Sequence, residues 1–199
     1  MEDDARGGSP RPEPLAGQLL EYATRWPREA PQVALFGELL NDPADVFARE
    51  RTAGHFTAGA WLVSGDGERE LMPHPRTLGR WLQLGGHADG ERDMAAVALQ
   101  EAREESGLSG LEVDGLAIFD LDRHWIPERR EVPGHWHYDV RYVVRAGADE
   151  RFVVGDESLD LAWRPIRELA EDADESLARM ARKWLNLSSF PRRPEGVQG

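Results

Sequence analysis

The chain carries two kinds of hydrophobic pattern, and one gives way to the other near Gly54. Pro27 and Pro31 separate two segments of helical periodicity, and the Asn-Asp-Pro at 41–43 ends the second. The apolar residues that define this period are Leu15, Leu19, Tyr22, Val33, Phe36, Leu39 and Leu40. The pattern predicts a helical N-terminal extension over 14–52.

After Gly54 the pattern becomes that of strands. Segment 55–65 alternates and ends in a Gly-Asp-Gly turn, with Phe56, Ala58, Ala60 and Leu62 on one face. Further strands are predicted at 70–74, 80–84, 115–122, 136–146, 151–154 and 159–163, and helices at 93–106 and 174–187. Strands on both sides of a central helix predict one mixed α/β domain over 53–188. The polar, Pro- and Gly-containing segments 1–13 and 189–199 are predicted to be a disordered tail and a loose tail.

Composition narrows the functional classes. A formal net charge of −13 disfavours binding to nucleic acid, because the protein repels polyphosphate at long range. No apolar run reaches the roughly 18–20 residues of a membrane helix, so no membrane partner is expected. The absence of cysteine excludes disulfides and thiolate metal sites and favours a cytoplasmic location.

The segment QEAREESG at 100–107 concentrates negative charge. On a helix, Glu101, Glu104 and Glu105 fall within an arc of about 100°. Their mutual repulsion costs a few tenths of a kcal/mol per pair, and they lie towards the helix C-terminus, where the dipole disfavours anions. A solvated acidic face is one interpretation. The other interpretation is a site for a hard divalent cation such as Mg²⁺, because the ion prefers oxygen ligands and would neutralise the three carboxylates.

The segment also has a characteristic context. A glycine pair, Gly85-Gly86, follows a predicted strand at a short distance before the glutamate helix, and Gly107 supplies a helix stop. Residues 86–108 resemble the Nudix box: a glycine, five residues, a glutamate, seven residues, then Arg-Glu-apolar-x-Glu-Glu-x-Gly-apolar. The matching positions are Gly86, Glu101, Ala102, Glu104, Glu105, Gly107 and Leu108. Flanking segments resemble a bacterial branch of Nudix hydrolases over 53–188, and the helical extension also occurs in that branch.

The resemblance implies a fold and an activity. The fold would be α/β, a Nudix-like α/β/α sandwich with a mixed sheet, plus the N-terminal helices. The activity would be metal-dependent hydrolysis of a nucleoside diphosphate linked to another group, with a small nucleotide-derived diphosphate as the partner and Mg²⁺ or Mn²⁺ as the cofactor. Glu101, Glu104 and Glu105 would bind the metal with the carbonyl of Gly85, and one glutamate would orient or deprotonate the attacking water.

Two positions depart from the box, which has Glu at 92 and Arg at 100, whereas this chain has Arg92 and Gln100. In the family these two residues are thought to pair and to tie the loop to the helix. Their joint change is compatible with a rewired scaffold around an active site. It is also compatible with a catalytically lapsed Nudix-fold module that binds nucleotides or regulates. An isoprenoid diphosphate isomerase-like activity is disfavoured, because the familiar enzymes use a cysteine.

All six histidines lie within 53–188. His135, His137 and Asp139 are spaced to share one face of a strand. Ordinary hydrogen-bonded histidines are one interpretation of the set. The functional alternative places His87, His124, His137 and Asp139 around the substrate, and a second, nitrogen-rich metal site is a third.

Several further residues are candidates for contact with the substrate. Arg76 and Arg80 precede the glycine pair and are placed to meet phosphates, unless they are solvated loop charges. Glu157 is a candidate for the additional acid that some Nudix enzymes carry in a late loop, and Glu128 and Glu131 compete for that role.

The tryptophans leave two interpretations open. Trp81, Trp125 and Trp136 could stack on a base, although tryptophans at strand spacing more often lie in the core, as expected for Trp163. A homodimer is compatible with the sequence.

Overall fold

The computed structural model describes residues 14–75, 81–129, 132–153 and 158–188. The helices are α1 (Leu15–Arg25), a 3-10 turn (Pro27–Glu29), α2 (Ala30–Leu40), α3 (Met94–Ser106), α4 (Ile166–Leu169) and α5 (Glu175–Ser188). The strands are β1 (His55–Val63), β2 (Arg69–Pro75), β3 (Leu84–His87), β4 (Glu112–Val113), β5 (Asp120–Ile126), β6 (His135–Arg145) and β7 (Ser158–Pro165). None of the described helices is long and apolar enough to cross a membrane.

The strands form one mixed sheet in the order β4-β6-β1-β2-β7, with β3 paired to β1 and β5 paired to β6. Strand β1 runs parallel to β6, and the other pairs are antiparallel. This arrangement confirms the predicted α/β class with a mixed sheet and N-terminal helices.

The two faces of β1 point into different surroundings. Phe56, Ala58, Ala60 and Leu62 lie in the larger core with α1, α2 and α3, which confirms the face predicted from their spacing. Trp61 and Val63 point to the opposite face and pack in a second core with α4 and α5. Thr57 and Gly59, on the same opposite face, border a cleft instead of a helix. The site therefore lies at one end of the sheet.

The N-terminal helices contribute to the larger core. Leu15, Leu19 and Tyr22 of α1 are buried in it beside strand residues. Gln18 of α1 accepts a hydrogen bond from the hydroxyl of Tyr142 in β6 at 2.7 Å. The extension thus shares its core with the sheet, and the boundary between 14–52 and 53–188 stays a prediction.

Two predicted strands are shorter than expected. In the predicted 80–84 segment, residues 81–83 are not in a strand and β3 begins at Leu84. In the 115–122 segment, residues 115–119 form a loop and β5 begins at Asp120. Gly115 has a φ of 76° in this loop, which an ordinary residue rarely adopts.

One predicted strand is absent where it is described. Residues 151–153 of the 151–154 segment have no strand, because the Val153 N–H donates to the Ser106 carbonyl at the end of α3, at 2.8 Å. Conversely, the short β4 had no alternating pattern to reveal it, since it is only two residues long.

Candidate active site

Helix α3 places two of its glutamates, Glu101 and Glu105, against β3. The Asp93 side chain caps the helix by accepting a hydrogen bond from the Ala96 N–H at 3.1 Å. The helix ends at Gly107, whose φ of 67° is left-handed, as the sequence predicted. Ala95 and Ala102 are buried against the core, so the glutamate side of the helix is left outside it.

The glycine pair meets these glutamates directly. The carboxylate of Glu105 accepts a hydrogen bond from the Gly85 N–H at 2.9 Å. A Cβ added to Gly86 would lie 2.4 Å from the Cδ of Glu101, so only glycine leaves room for that carboxylate. Sequence positions twenty residues apart are thereby joined into one strand–loop–helix unit.

Glu101 has a perturbed environment. Burial raises the pKa of its carboxyl group, and the nearby carboxylates of Glu104 and Asp89 raise it further, while Arg49 opposes them. A cation placed beside this group would favour the ionised form and so would oppose both effects.

The Nudix box has a glutamate at 92 and an arginine at 100, which are thought to pair. Among the described contacts, Arg92 and Gln100 do not contact each other and instead have separate partners. Gln100 Nε2 donates to Glu104 Oε1 at 2.8 Å along the helix. The guanidinium of Arg92 lies over the Phe47 ring, 5.0 Å from its centroid, and 4.0 Å from Asp45. Arg92 therefore faces the segment that follows α2.

A second contact joins the same two segments. Arg49 forms a bidentate ion pair with Asp89, which lies in the loop between β3 and α3. The loop that follows the glycine pair is thus fastened to the N-terminal extension by Arg49 and Arg92. Sequence reasoning missed this because the two partners lie 40 residues apart.

A cleft of about 960 Å³ opens beside the glycine pair. Its walls come from β1, β3, β5 and β6, from the segment after β5 and from the start of α5. Gly85 and Gly86 are among its described lining residues, whereas Glu101, Glu104 and Glu105 are not. The glycine pair is therefore the element that touches both the cleft and the glutamate helix.

The polar wall of the cleft is built in register across the sheet. Asp122, Asp139, Thr57 and His87 lie side by side on four neighbouring strands. The next row holds His124, His137 and His55. The predicted residues His87, His124, His137 and Asp139 all line the cleft. Their contact with a substrate stays a prediction.

Histidines form a compact group at one end of this wall. One ring nitrogen each of His55, His135 and His137 lie within 4.8 Å of one another. In the part of the chain that is described, no other set of three or more His, Asp or Glu side chains is this close, including the three helix glutamates. Repulsion among three like charges favours the wider spacing of the glutamates.

The pKa values of His55 and His137 in this group are lowered, which favours the neutral imidazole. Burial, followed by the neighbouring imidazoles of His87 and His55, lowers the pKa of His137 to about 3. Burial is also the main cause that lowers the pKa of His55 and of His87. Neutral rings keep one nitrogen lone pair available.

An ion network lies between the cleft and α5. Arg141 lies 3.1 Å from carboxylate oxygens of Asp120 and Asp122 and 3.2 Å from Asp139. Asp120 is fully buried and also meets Arg179 at 2.8 Å and Lys183 at 2.6 Å. The signal for this network in the sequence is charge at alternate positions of two strands: Asp120 and Asp122 in β5, and Asp139 and Arg141 in β6.

Some predicted residues lie outside the described part of the chain, namely Arg76, Arg80, Glu131 and Glu157. Their roles stay predictions. Glu128, a competitor for the role of additional acid, lines the cleft.

The tryptophans divide between the two interpretations. Trp125 is 50% exposed at the cleft. Trp136 packs under the guanidinium of Arg123, 3.8 Å from the ring centroid. Trp81 and Trp163 are partly buried against the second and the larger core, respectively.

Comparisons with known proteins define the fold. Neither a protein-family model nor a curated protein matches the sequence. Solved structures do match: the Ap4A hydrolase of C. elegans in a binary complex aligns at a TM-score of 0.51 and 15% identity, over 68% of this chain and 98% of that one. A NUDIX-family hydrolase from Clostridium perfringens aligns at a TM-score of 0.51 and 20% identity, over 67% of this chain and 97% of that one. A MutT protein from Methanosarcina mazei aligns at a TM-score of 0.53 and 12% identity, over 69% of this chain and 97% of that one.

The fold is therefore a Nudix fold. The likeness extends over nearly the whole length of each of these structures, and it confirms the fold that the box at 86–108 predicted.

Proposed function

We propose that this protein is a Nudix-type pyrophosphohydrolase that cleaves the diphosphate linkage of a small nucleotide-derived substrate. The observation that carries the proposal is the docking of helix α3 on the glycine pair. Glu105 accepts the Gly85 N–H at 2.9 Å, and the Glu101 carboxylate fills the space beside Gly86. This brings carboxylates and bare backbone together at the edge of the cleft.

The donor set suits a hard divalent cation. Mg²⁺ and Mn²⁺ prefer oxygen ligands, and Glu101, Glu104, Glu105 and the Gly85 carbonyl would hold the ion. The raised pKa of Glu101 fits this assignment, because a half-buried carboxylate crowded by other acids is relieved by a cation. When bound, the ion neutralises phosphate charge and lowers the pKa of water.

The residues of this chain would then divide the remaining work. A glutamate of α3 would orient or deprotonate the attacking water, as a general base within hydrogen-bond reach. Polar side chains of the cleft wall, His87, His124, His137 and Asp139, would position the rest of the substrate. Arg76 and Arg80 would contact phosphates, and Glu157 would supply an additional acid. The exposed Trp125 at the cleft offers a face for a base.

The structural neighbours support this class of reaction. One is an Ap4A hydrolase and another is a NUDIX-family hydrolase. Because their identity to this chain is low, their support extends to the reaction class and not to the substrate.

A substrate panel tests the proposal. Nucleoside triphosphates, dinucleotides and nucleotide sugars are incubated with the purified protein and Mg²⁺ or Mn²⁺, and the products are separated and identified. We expect metal-dependent release of a nucleoside monophosphate or diphosphate from at least one member, and its loss in Glu105→Gln. Metal-dependent binding without any turnover would overturn the hydrolase assignment and favour the regulatory module.

A further inference from the structure

The three clustered histidines bring one ring nitrogen each to within 4.8 Å of one another. His55 Nδ1 lies 3.2 Å from the Arg51 carbonyl, and His135 Nδ1 lies 2.8 Å from the Pro133 carbonyl. A carbonyl only accepts, so both Nδ1 atoms carry the proton and both Nε2 atoms keep a lone pair. Backbone carbonyls in this position commonly fix the tautomer of metal-binding histidines.

The Nε2 atoms have too few protein partners. His55 is 1% exposed, and its Nε2 atom is buried with no hydrogen-bond partner among the described residues. His135 Nε2 and His137 Nε2 lie 3.1 Å apart. A hydrogen bond between them would satisfy that pair and leave the buried His55 Nε2 without a partner among the described residues, which is unfavourable.

We propose that His55, His135 and His137 form a metal site separate from the glutamate helix, and that it takes a borderline transition-metal ion such as Zn²⁺. Imidazole nitrogen suits Zn²⁺ and discriminates against Mg²⁺, which prefers oxygen. Zn–N bonds of about 2.0–2.1 Å put two ligands of a tetrahedral ion roughly 3.3 Å apart. The 3.1 Å between His135 and His137 is close to that value, and the 4.8 Å span of the group requires only small side-chain rotations.

The surroundings are compatible with a cation. The two arginines whose charges act on His55 are already paired, Arg49 with Asp89 and Arg51 with Asp42. The His87 ring lies 5.2 Å from His55 and 5.1 Å from His137, centroid to centroid, beside the group.

The site would also communicate with the cleft. His137 lines the cleft, whereas His55 and His135 are buried behind it. Three protein ligands and one side open to a cleft are the arrangement that leaves a coordination position for an anionic ligand.

Zn²⁺ binding tests the site independently of hydrolysis. Protein purified without a polyhistidine tag and stripped with a chelator is titrated with Zn²⁺ in an excess of Mg²⁺, which occupies the oxygen ligands. We expect one Zn²⁺ per chain, and an affinity at least about 100-fold weaker in His137→Gln, which removes a ligand. Co²⁺ added to the wild-type protein should give the visible absorption of a tetrahedral nitrogen site.

Two matched variants separate this site from the hydrolase site. Glu105→Gln should keep the Zn²⁺ affinity, and so should His74→Gln, because His74 packs against Trp81 away from the group. Loss of hydrolysis in Glu105→Gln with Zn²⁺ binding intact would leave the histidine site standing. Equal Zn²⁺ affinity of His137→Gln and wild type, or no tetrahedral Co²⁺ spectrum in the wild type, would overturn it.

Discussion

The carboxylate of Glu105 receives the backbone N–H of Gly85 at 2.9 Å, across a sequence distance of twenty residues. The contact couples the last turn of α3 to strand β3. It also fixes which carboxylate lies against the cleft edge, since Gly85 is part of the cleft wall. Glu105 therefore has a structural contact in addition to its proposed role as a metal ligand, and variants can separate the two.

Replacing Glu105 by glutamine should remove at least ~99% of the hydrolase activity. A glutamine oxygen can still accept the Gly85 N–H, so the fold should persist, whereas the negative charge needed by a divalent cation is lost. The measurement is kcat/KM with Mg²⁺ on the best substrate of the panel, with circular dichroism to confirm folding. Glu112→Gln, an exposed change in β4, is the control and should leave kcat/KM unchanged. Wild-type activity in Glu105→Gln would refute the assignment.

Gly86→Ala should lower activity by displacing the Glu101 carboxylate, without removing any functional group. The new Cβ would lie 2.4 Å from the Cδ of Glu101, so the carboxylate must move. Catalysis depends on geometry at the 1 Å scale, and we expect a loss of about 100-fold in kcat/KM. Gly37→Ala adds the same methyl group where nothing lies within 4 Å, and it should be neutral. Equal activities of the two variants would show that the Gly86–Glu101 contact is unimportant.

Gln100→Arg should change kcat/KM by less than about tenfold. Within the described residues, Gln100 forms a hydrogen bond with Glu104 along the exposed side of α3, and an arginine there would form an exposed pair worth roughly 0–1 kcal/mol. Steady-state kinetics of this variant and of Gln100→Leu test the claim. A gain of several hundredfold in Gln100→Arg would instead show that the change at 100 is the cause of a lapsed site.

The sequence predicted the parts of the site that depend on local spacing. The glutamate face of α3, its stop at Gly107 and the apolar face of β1 follow from helical and strand periods, and the structure confirms them. The shared face of His135, His137 and Asp139 follows from strand spacing in the same way, because all three lie at alternate positions of β6.

Contacts across long sequence distances were not predictable from one sequence. The pairing of Arg49 with Asp89 and the convergence of His55 on His135 depend on the parallel pairing of β1 with β6 and on how the extension packs. Periodicity says which face a residue occupies and is silent on which strand lies beside it.

Asp120→Asn should destabilise the protein by about 3–5 kcal/mol. The buried carboxylate pairs with Arg141, Arg179 and Lys183 together, and an amide would remove this shared negative charge from a site away from water. Asp122, Asp139 and Glu29 would remain as partners of these cations. Urea unfolding at neutral pH measures the change. Asp114→Asn breaks a pair with Arg145 that is 43% exposed on the aspartate side, and it should cost no more than about 1 kcal/mol. Similar midpoints for both variants would mean that the network contributes little.

Glu70→Gln should stabilise the protein in a way that depends on pH. The Glu70 carboxyl group is fully buried, and neither oxygen has a hydrogen-bond partner within the described residues. Burial raises its pKa well above the ordinary value, although Arg141 opposes this. The folded protein therefore keeps a proton that the unfolded chain releases above a pKa of about 4.3. Wild-type stability must fall as pH rises above that value until the folded pKa is reached, whereas glutamine has no proton to lose.

The urea midpoints of the variant and the wild type should be nearly equal at about pH 4, and the variant should be the more stable at about pH 8. Glu38→Gln, the same change at an exposed position of α2, should show no such divergence. A constant difference between Glu70→Gln and wild type across this range would mean that Glu70 is not held protonated in the fold.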